Sequence, residues 1–83
     1  IEKREAGVSL TANPNPARDF IAIRVNNPEY RDLSIYDMVG NIVFRSEITS
    51  AGMNIDLRTY PCGVYFISCR SNTNICTGKF IKN

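Results

Sequence analysis

Histidine is absent from this chain, and cysteine occurs only three times. Without histidine there is no Ser-His or Cys-His pair to activate a nucleophile, and no mixed Cys/His metal site. Cys62, Cys69 and Cys76 form no tight pair of the zinc-ribbon kind. An odd number closes at most one internal disulfide, so a disulfide framework is not the main source of stability. Glycine-rich phosphate loops and calcium loops are missing as well. The formal net charge of +2 is too small to suggest a nucleic-acid surface, which carries Lys and Arg clustered on one face. No apolar run is long enough to span a membrane or to form the core of a signal peptide, and the chain starts at Ile1 rather than Met. The expectation is a processed product or the excised part of a longer protein. The carboxylates Asp19, Asp32, Asp37, Asp56, Glu2, Glu5, Glu29 and Glu47 are scattered among turns and polar strand faces. Each reads as a solvated charge rather than half of a catalytic pair. The composition therefore points away from an enzyme, and implies no cofactor, metal, nucleic acid or small-molecule substrate.

What is present is a succession of short β signals. At 83 residues the chain makes one domain with a thin core, burying only roughly 60% of the surface its unfolded form exposes. The organising stretch is Gly63-Val64-Tyr65-Phe66-Ile67-Ser68-Cys69, which follows the turn signal of Pro61 and runs apolar and β-branched. Tyr65 fits a tyrosine corner, its ring packed inward and its hydroxyl bonded back to the preceding turn. Six further strands are expected over 8–12, 19–25, 31–38, 41–47, 53–57 and 75–82, and no helix of ordinary length. Met53, Ile55 and Leu57 alternate with polar neighbours and give the clearest period of two. Asn13-Pro14-Asn15-Pro16-Ala17 is a stiff corner, because two prolines remove donors and push each preceding Asn to extended geometry. It is read as carrying the chain from one sheet to the other. The fold class is all-β: an immunoglobulin-like β-sandwich of about seven antiparallel strands, with Leu10, Ile21, Ile23, Leu33, Ile35, Ile55, Leu57, Tyr65 and Ile67 buried.

Several residues carry two readings. Asp37 shares parity with Leu33 and Ile35; it either contacts a partner or bonds the backbone of the Val39-Gly40 turn, as Asp commonly does. Gly40 is expected at positive φ, and Gly78 marks a bulge. In strand four, Ile42 and Phe44 share one face by alternation and Val43 takes the other. A two-residue loop at Asn72-Thr73 sets Cys69 opposite Cys76, within disulfide range. Lys79 and Lys82 either guard an edge strand or belong to a terminal recognition signal. Tyr30, Tyr36, Tyr60 and Phe44 are the aromatics that a carbohydrate-binding face would use. The charged, small-residue stretch at 1–7 reads as a linker or tail, and a processing protease would find its extended backbone at or before Ala6 and Gly7.

Taken in order, Asn13-Pro14-Asn15-Pro16-Ala17, Leu33-Ser34-Ile35-Tyr36-Asp37-Met38-Val39-Gly40 with Val43, Ile55-Asp56-Leu57, Gly63-Val64-Tyr65 and Gly78-Lys79-Phe80-Ile81-Lys82 resemble one known family. It is the type A C-terminal sorting domain of the type IX (Por) secretion system of Bacteroidetes. The resemblance covers residues 8–83. It implies a secretion address that is attached to an N-terminal cargo and recognised by the outer-membrane translocon. A sortase-like protease then usually removes it. The resemblance implies a protein that is in the periplasm in transit, then secreted or at the cell surface. The resemblance also places the recognition signal on Gly78, Lys79, Phe80, Ile81 and Lys82, marks Pro14, Asn15, Pro16, Gly40, Gly63 and Tyr65 as its structural motif, and favours Val43 as the buried residue of strand four. The competing classes are an immunoglobulin-like adhesion or ligand-binding module of a surface protein, and a structural spacer.

Overall fold

The computed structural model describes residues 7–48 and 52–83. Seven strands follow in chain order: β1 (Leu10–Asn13), β2 (Phe20–Val25), β3 (Asp32–Tyr36), β4 (Ile42–Glu47), β5 (Gly52–Asp56), β6 (Gly63–Arg70) and β7 (Ile75–Lys82). They form a three-stranded sheet in the order β1-β2-β5 and a four-stranded sheet in the order β4-β3-β6-β7. Every pairing within the two sheets is antiparallel. This is the expected sandwich, and no described residue is helical.

Alternation along each strand builds the core. Ile21, Ile23 and Val25 from β2 and Ile55 from β5 meet Leu33, Ile35, Tyr65, Ile67, Cys69 and Phe80 of the opposing sheet. All the positions expected to be buried are so except Leu10, which is half-buried and packs against the cluster. Tyr30 and Ile48, in connecting segments, also close the core. Tyr65 makes the tyrosine corner: its hydroxyl donates to the Pro61 carbonyl at 2.5 Å, and its ring stacks on Phe80 with centroids 5.3 Å apart.

The structure corrects four local expectations. The proline corner does not switch sheets, since β1 and β2 are paired neighbours. The register of β3 and β4 shifts so that Ile35 faces Phe44 and Tyr36 faces Ile42. Val43 is the extra residue of that irregularity, so Phe44 turns inward, Ile42 turns out, and Val43 is exposed rather than buried. Simple alternation fails there because a bulge inverts the facing beyond it. Gly78 is not a bulge: its pairing with Ile67 belongs to an unbroken register from Gly63↔Lys82 to Arg70↔Ile75. A Cβ at Gly78 would lie 2.8 Å from Leu10 Cδ2, so the glycine admits the close approach of β1 across the sandwich. Finally, Gly52 opens β5, whereas the rest of the loop expected there lies outside the described residues.

Short connections sort the strand ends into two poles. The segments 26–31 and 71–74 close one pole, where Gly7 is tied to Asn26 through its carbonyl at 2.9 Å. The segments 14–19, 37–41 and 57–62 and the end of β7 close the other.

Candidate recognition surface

The proline corner and the last strand, 60 residues and more apart in sequence, are joined by their backbones. Ala17 is fully buried and forms a parallel bridge with Lys82. Its N–H donates to the Ile81 carbonyl at 2.7 Å, and its carbonyl accepts from the Asn83 N–H at 2.8 Å. Asn15 continues the ladder with its side chain: Oδ1 accepts from the Ile81 N–H at 2.9 Å and Nδ2 donates to the Lys79 carbonyl at 3.4 Å. A side-chain amide offers one donor group and one acceptor, as a peptide does, and so stands in for a strand residue. The edge of β7 is therefore closed from Lys79 to Asn83. Its backbone groups there are taken and do not offer a partner an edge for strand addition.

The same ladder decides what the last strand presents. Phe80 is fully buried on Tyr65, and Gly78 lies under Leu10. Lys79 and Ile81 point to the outer face of the four-stranded sheet, where Lys79 is paired with Phe66 and Ile81 with Val64. Lys82 has the opposite parity, opposite Gly63, and its ammonium donates to the Asn83 carbonyl at 3.0 Å. The two lysines thus occupy different faces and do not make one charged patch. Beside Lys79 a shallow depression of about 520 Å³ is floored by Phe66, Ser68 and Thr77 and edged by Tyr36, Arg70 and Ile75. Of the aromatics considered for sugar binding, Tyr30 is buried, while Phe44 and Tyr60 pack against the core, so only Tyr36 reaches this face.

The turn between β3 and β4 is built by Asp37. One carboxylate oxygen accepts from the Val39 N–H at 3.0 Å and the Asn41 N–H at 2.9 Å, and the other from the Asn41 side chain at 3.3 Å. These bonds, the Asn41 backbone first, hold the Asp37 carboxyl below the usual carboxylate range. Asp37 thus bonds its own turn, and Gly40 closes it at φ +98°. Gly63 opens β6 at φ +151°, and Pro14 and Pro16 are exposed beside Asn15. Ala6 lies outside the described residues, and Gly7 is exposed.

Cys69 and Cys76 face each other across the β6–β7 hairpin as expected, and Ser71 and Asn74 close its two-residue loop with an N–H···O bond of 3.0 Å. Both cysteines are free thiols here, and Cys69 donates to the Tyr30 carbonyl at 3.3 Å instead of bonding its neighbour. Burial, with Cys76 adding to it, pushes the Cys69 thiol up to about 11. Cys62 is exposed. The pairing of Ala17 and Asn15 with the last strand was not legible in the sequence. Nor was the exposure of Met38 and Val39, although two large apolar residues between Asp37 and Gly40 are an unusual filling for a polar turn.

Residues 11–83 match the family described as secretion system C-terminal sorting domain. The chain is similar to an endo-acting ulvan lyase of Formosa agariphila, 34% identical over 64 residues that make up 74% of this chain and 12% of that protein. It thus spans about an eighth of that relative's length. Among solved structures it is similar to PorZ, a surface component of the type-IX secretion system of Porphyromonas gingivalis. That likeness has a TM-score of 0.79 and 18% identity, over 89% of this chain and 11% of that one. It is also similar to the sulfur carrier protein SoxY of Chlorobium limicola, with a TM-score of 0.62 and 9% identity over 98% and 81% of the two chains. At these identities the two structures speak for the fold alone.

Proposed function

Because the chain belongs to the secretion system C-terminal sorting domain family, we propose that residues 8–83 are the address that takes an attached cargo through the outer-membrane translocon of the type IX system. Residues 1–7 are the tail joining cargo to address. The cargo precedes the domain, crosses the periplasm and arrives at the cell surface or in the medium. A sortase-like protease cuts at or before Ala6 and Gly7. The domain performs no catalysis; its work is to hold a surface in one shape.

The observation that carries this reading is the fixing of the last strand by Asn15 and Ala17, which leaves the Lys79 and Ile81 side chains displayed on a rigid backbone. Within residues 78–82 the translocon reads the displayed side chains of Lys79 and Ile81, with Lys79 supplying charge for an acidic groove and Lys82 contributing from the other face. A periplasmic reporter fused ahead of residues 1–83, in a bacterium that has this system, tests it. Lys79→Ala with Lys82→Ala is expected to cost at most about 1 kcal/mol, since Lys79 is exposed and Lys82 half-buried with a bond only to the adjacent Asn83 carbonyl, and to impair surface delivery. Wild-type delivery by the folded double variant would remove the two lysines from the recognised surface.

A further inference from the structure

The exposed apolar side chains are not spread over the molecule. Among the described residues, every large one lies toward the pole opposite Gly7. Met38 and Val39, 71% and 85% exposed, crown the β3–β4 turn, and Ile42 and Val43 follow at the start of β4. Phe66 and Ile81 continue the patch on the adjoining outer face, with Tyr36 paired between Ile42 and Phe66. Phe20 opens β2 just after Ala17, which is bridged to Lys82. The other pole is polar: Glu29, Arg31, Asp32, Arg45 and Glu47 line a hollow there, with ion pairs Arg31–Glu47 at 3.7 Å and Arg45–Asp32 at 3.2 Å. An apolar patch concentrated in this way marks an interaction site more often than chance.

We propose that this pole is a docking face, centred on Met38 and Val39 and rimmed by Lys79, for an apolar groove edged with carboxylates on the outer-membrane partner. The inference rests on the sorting function above and extends the recognised surface beyond residues 78–82. Three features select this occupant. First, Arg18, Lys79 and Lys82 lie at this pole and have no carboxylate at ion-pairing distance among the described residues, while Arg58 there pairs with Asp56 at 2.7 Å and Arg31 and Arg45 at the other pole are both paired. An apolar centre with unpaired cations at its rim complements an apolar groove with an acidic rim. Second, Asp37 fixes the turn backbone from within, so Met38 and Val39 are presented without a backbone ordering cost at binding. Third, cargo precedes a C-terminal sorting domain and so attaches at the Gly7 pole, roughly 25 Å away along strands of this length, and does not cover the face.

The test replaces Val39 with Asp or Leu, and separately Met38 with Ser, in the reporter fusion. Delivery to the surface is expected to fall about tenfold for Val39→Asp and Met38→Ser, as for a residue at the centre of an interface, and to persist for Val39→Leu. The purified variants should melt with the parent, since both side chains stand in solvent. Wild-type delivery by Val39→Asp and Met38→Ser would overturn the proposal. If Lys79→Ala with Lys82→Ala still abolishes delivery, the sorting reading survives that result. Equal loss in Val39→Leu would also overturn it, by pointing to turn geometry instead of an apolar contact. The purified parent domain is expected to be monomeric; a dimer that Val39→Asp dissolves would reassign the face to a second copy of the chain.

Discussion

Replacing Asn15 with alanine removes two bonds to the last strand and leaves the corner's prolines in place. The Oδ1 bond to the Ile81 N–H, at 2.9 Å, is well formed, whereas the Nδ2 bond to the Lys79 carbonyl, at 3.4 Å, is at the weak limit. Bonds at an exposed site trade with water, and each contributes about 0.5–1.5 kcal/mol net. Asn15→Ala should therefore cost about 1–2 kcal/mol. That is a sizeable part of the roughly 4–12 kcal/mol available to a domain of this size, and corresponds to a fall in Tm of about 5–15 °C. Both Ala17 bonds remain, so the strand stays docked and the effect is local. Urea unfolding should show a lower midpoint with an unchanged slope. Amide exchange should speed up at Ile81 before it changes at Ile67, which is paired inside the sheet. Asn15→Asp should keep Ile81 protected, because it keeps the acceptor. If Asn15→Ala changes neither the midpoint nor exchange at Ile81, the side chain does not act as a strand residue and the argument for a closed edge loses half its support.

Other outcomes follow from the same geometry. Ile67→Ala, at a buried position, should cost about 2–5 kcal/mol by urea titration. Gly78→Ala should destabilise by about 1 kcal/mol through its approach to Leu10, and Leu10→Val should relieve part of that loss in a double-mutant cycle. Arg58 bonds hold the Asp56 carboxyl near pH 2 against a usual 3.8, and the Asn41 and Val39 bonds lower Asp37 as well. Both folded-state values are depressed, so their stabilisation is present above about pH 4 and fades as pH falls toward 2. Asp56→Asn should flatten the pH dependence of the melting temperature in that window, and an unchanged slope would contradict it.

The parts of the fold legible in the sequence were those set by local period. Alternation in β5 and the apolar run of β6 located inward faces correctly, and Pro61 before Gly63 and Tyr65 located the corner. What escaped was set by contacts between distant segments. Nothing near Gly78 announces that Leu10 will lie 2.8 Å from its missing side chain. Nothing near Asn15 announces that its amide will meet Lys79 and Ile81. Alternation set Ile42 and Phe44 on one face because it does not register the extra residue between them, which inverts every facing beyond it, and Val43, buried by the resemblance, is exposed. In the candidate surface, the residue types at 78–82 were legible, but their division between two faces and the core needed the register of β7 against β6.

The central claim is that this folded domain is by itself an export address. The most direct measurement is the fraction of a periplasmic reporter, fused ahead of residues 1–83, that becomes accessible to external protease in intact cells with a working type IX system. Most of the reporter should be accessible when the fusion is present, and none when the translocon is disabled. A reporter that stays protected in the periplasm with its domain folded, or that reaches the surface without the translocon, would contradict the claim.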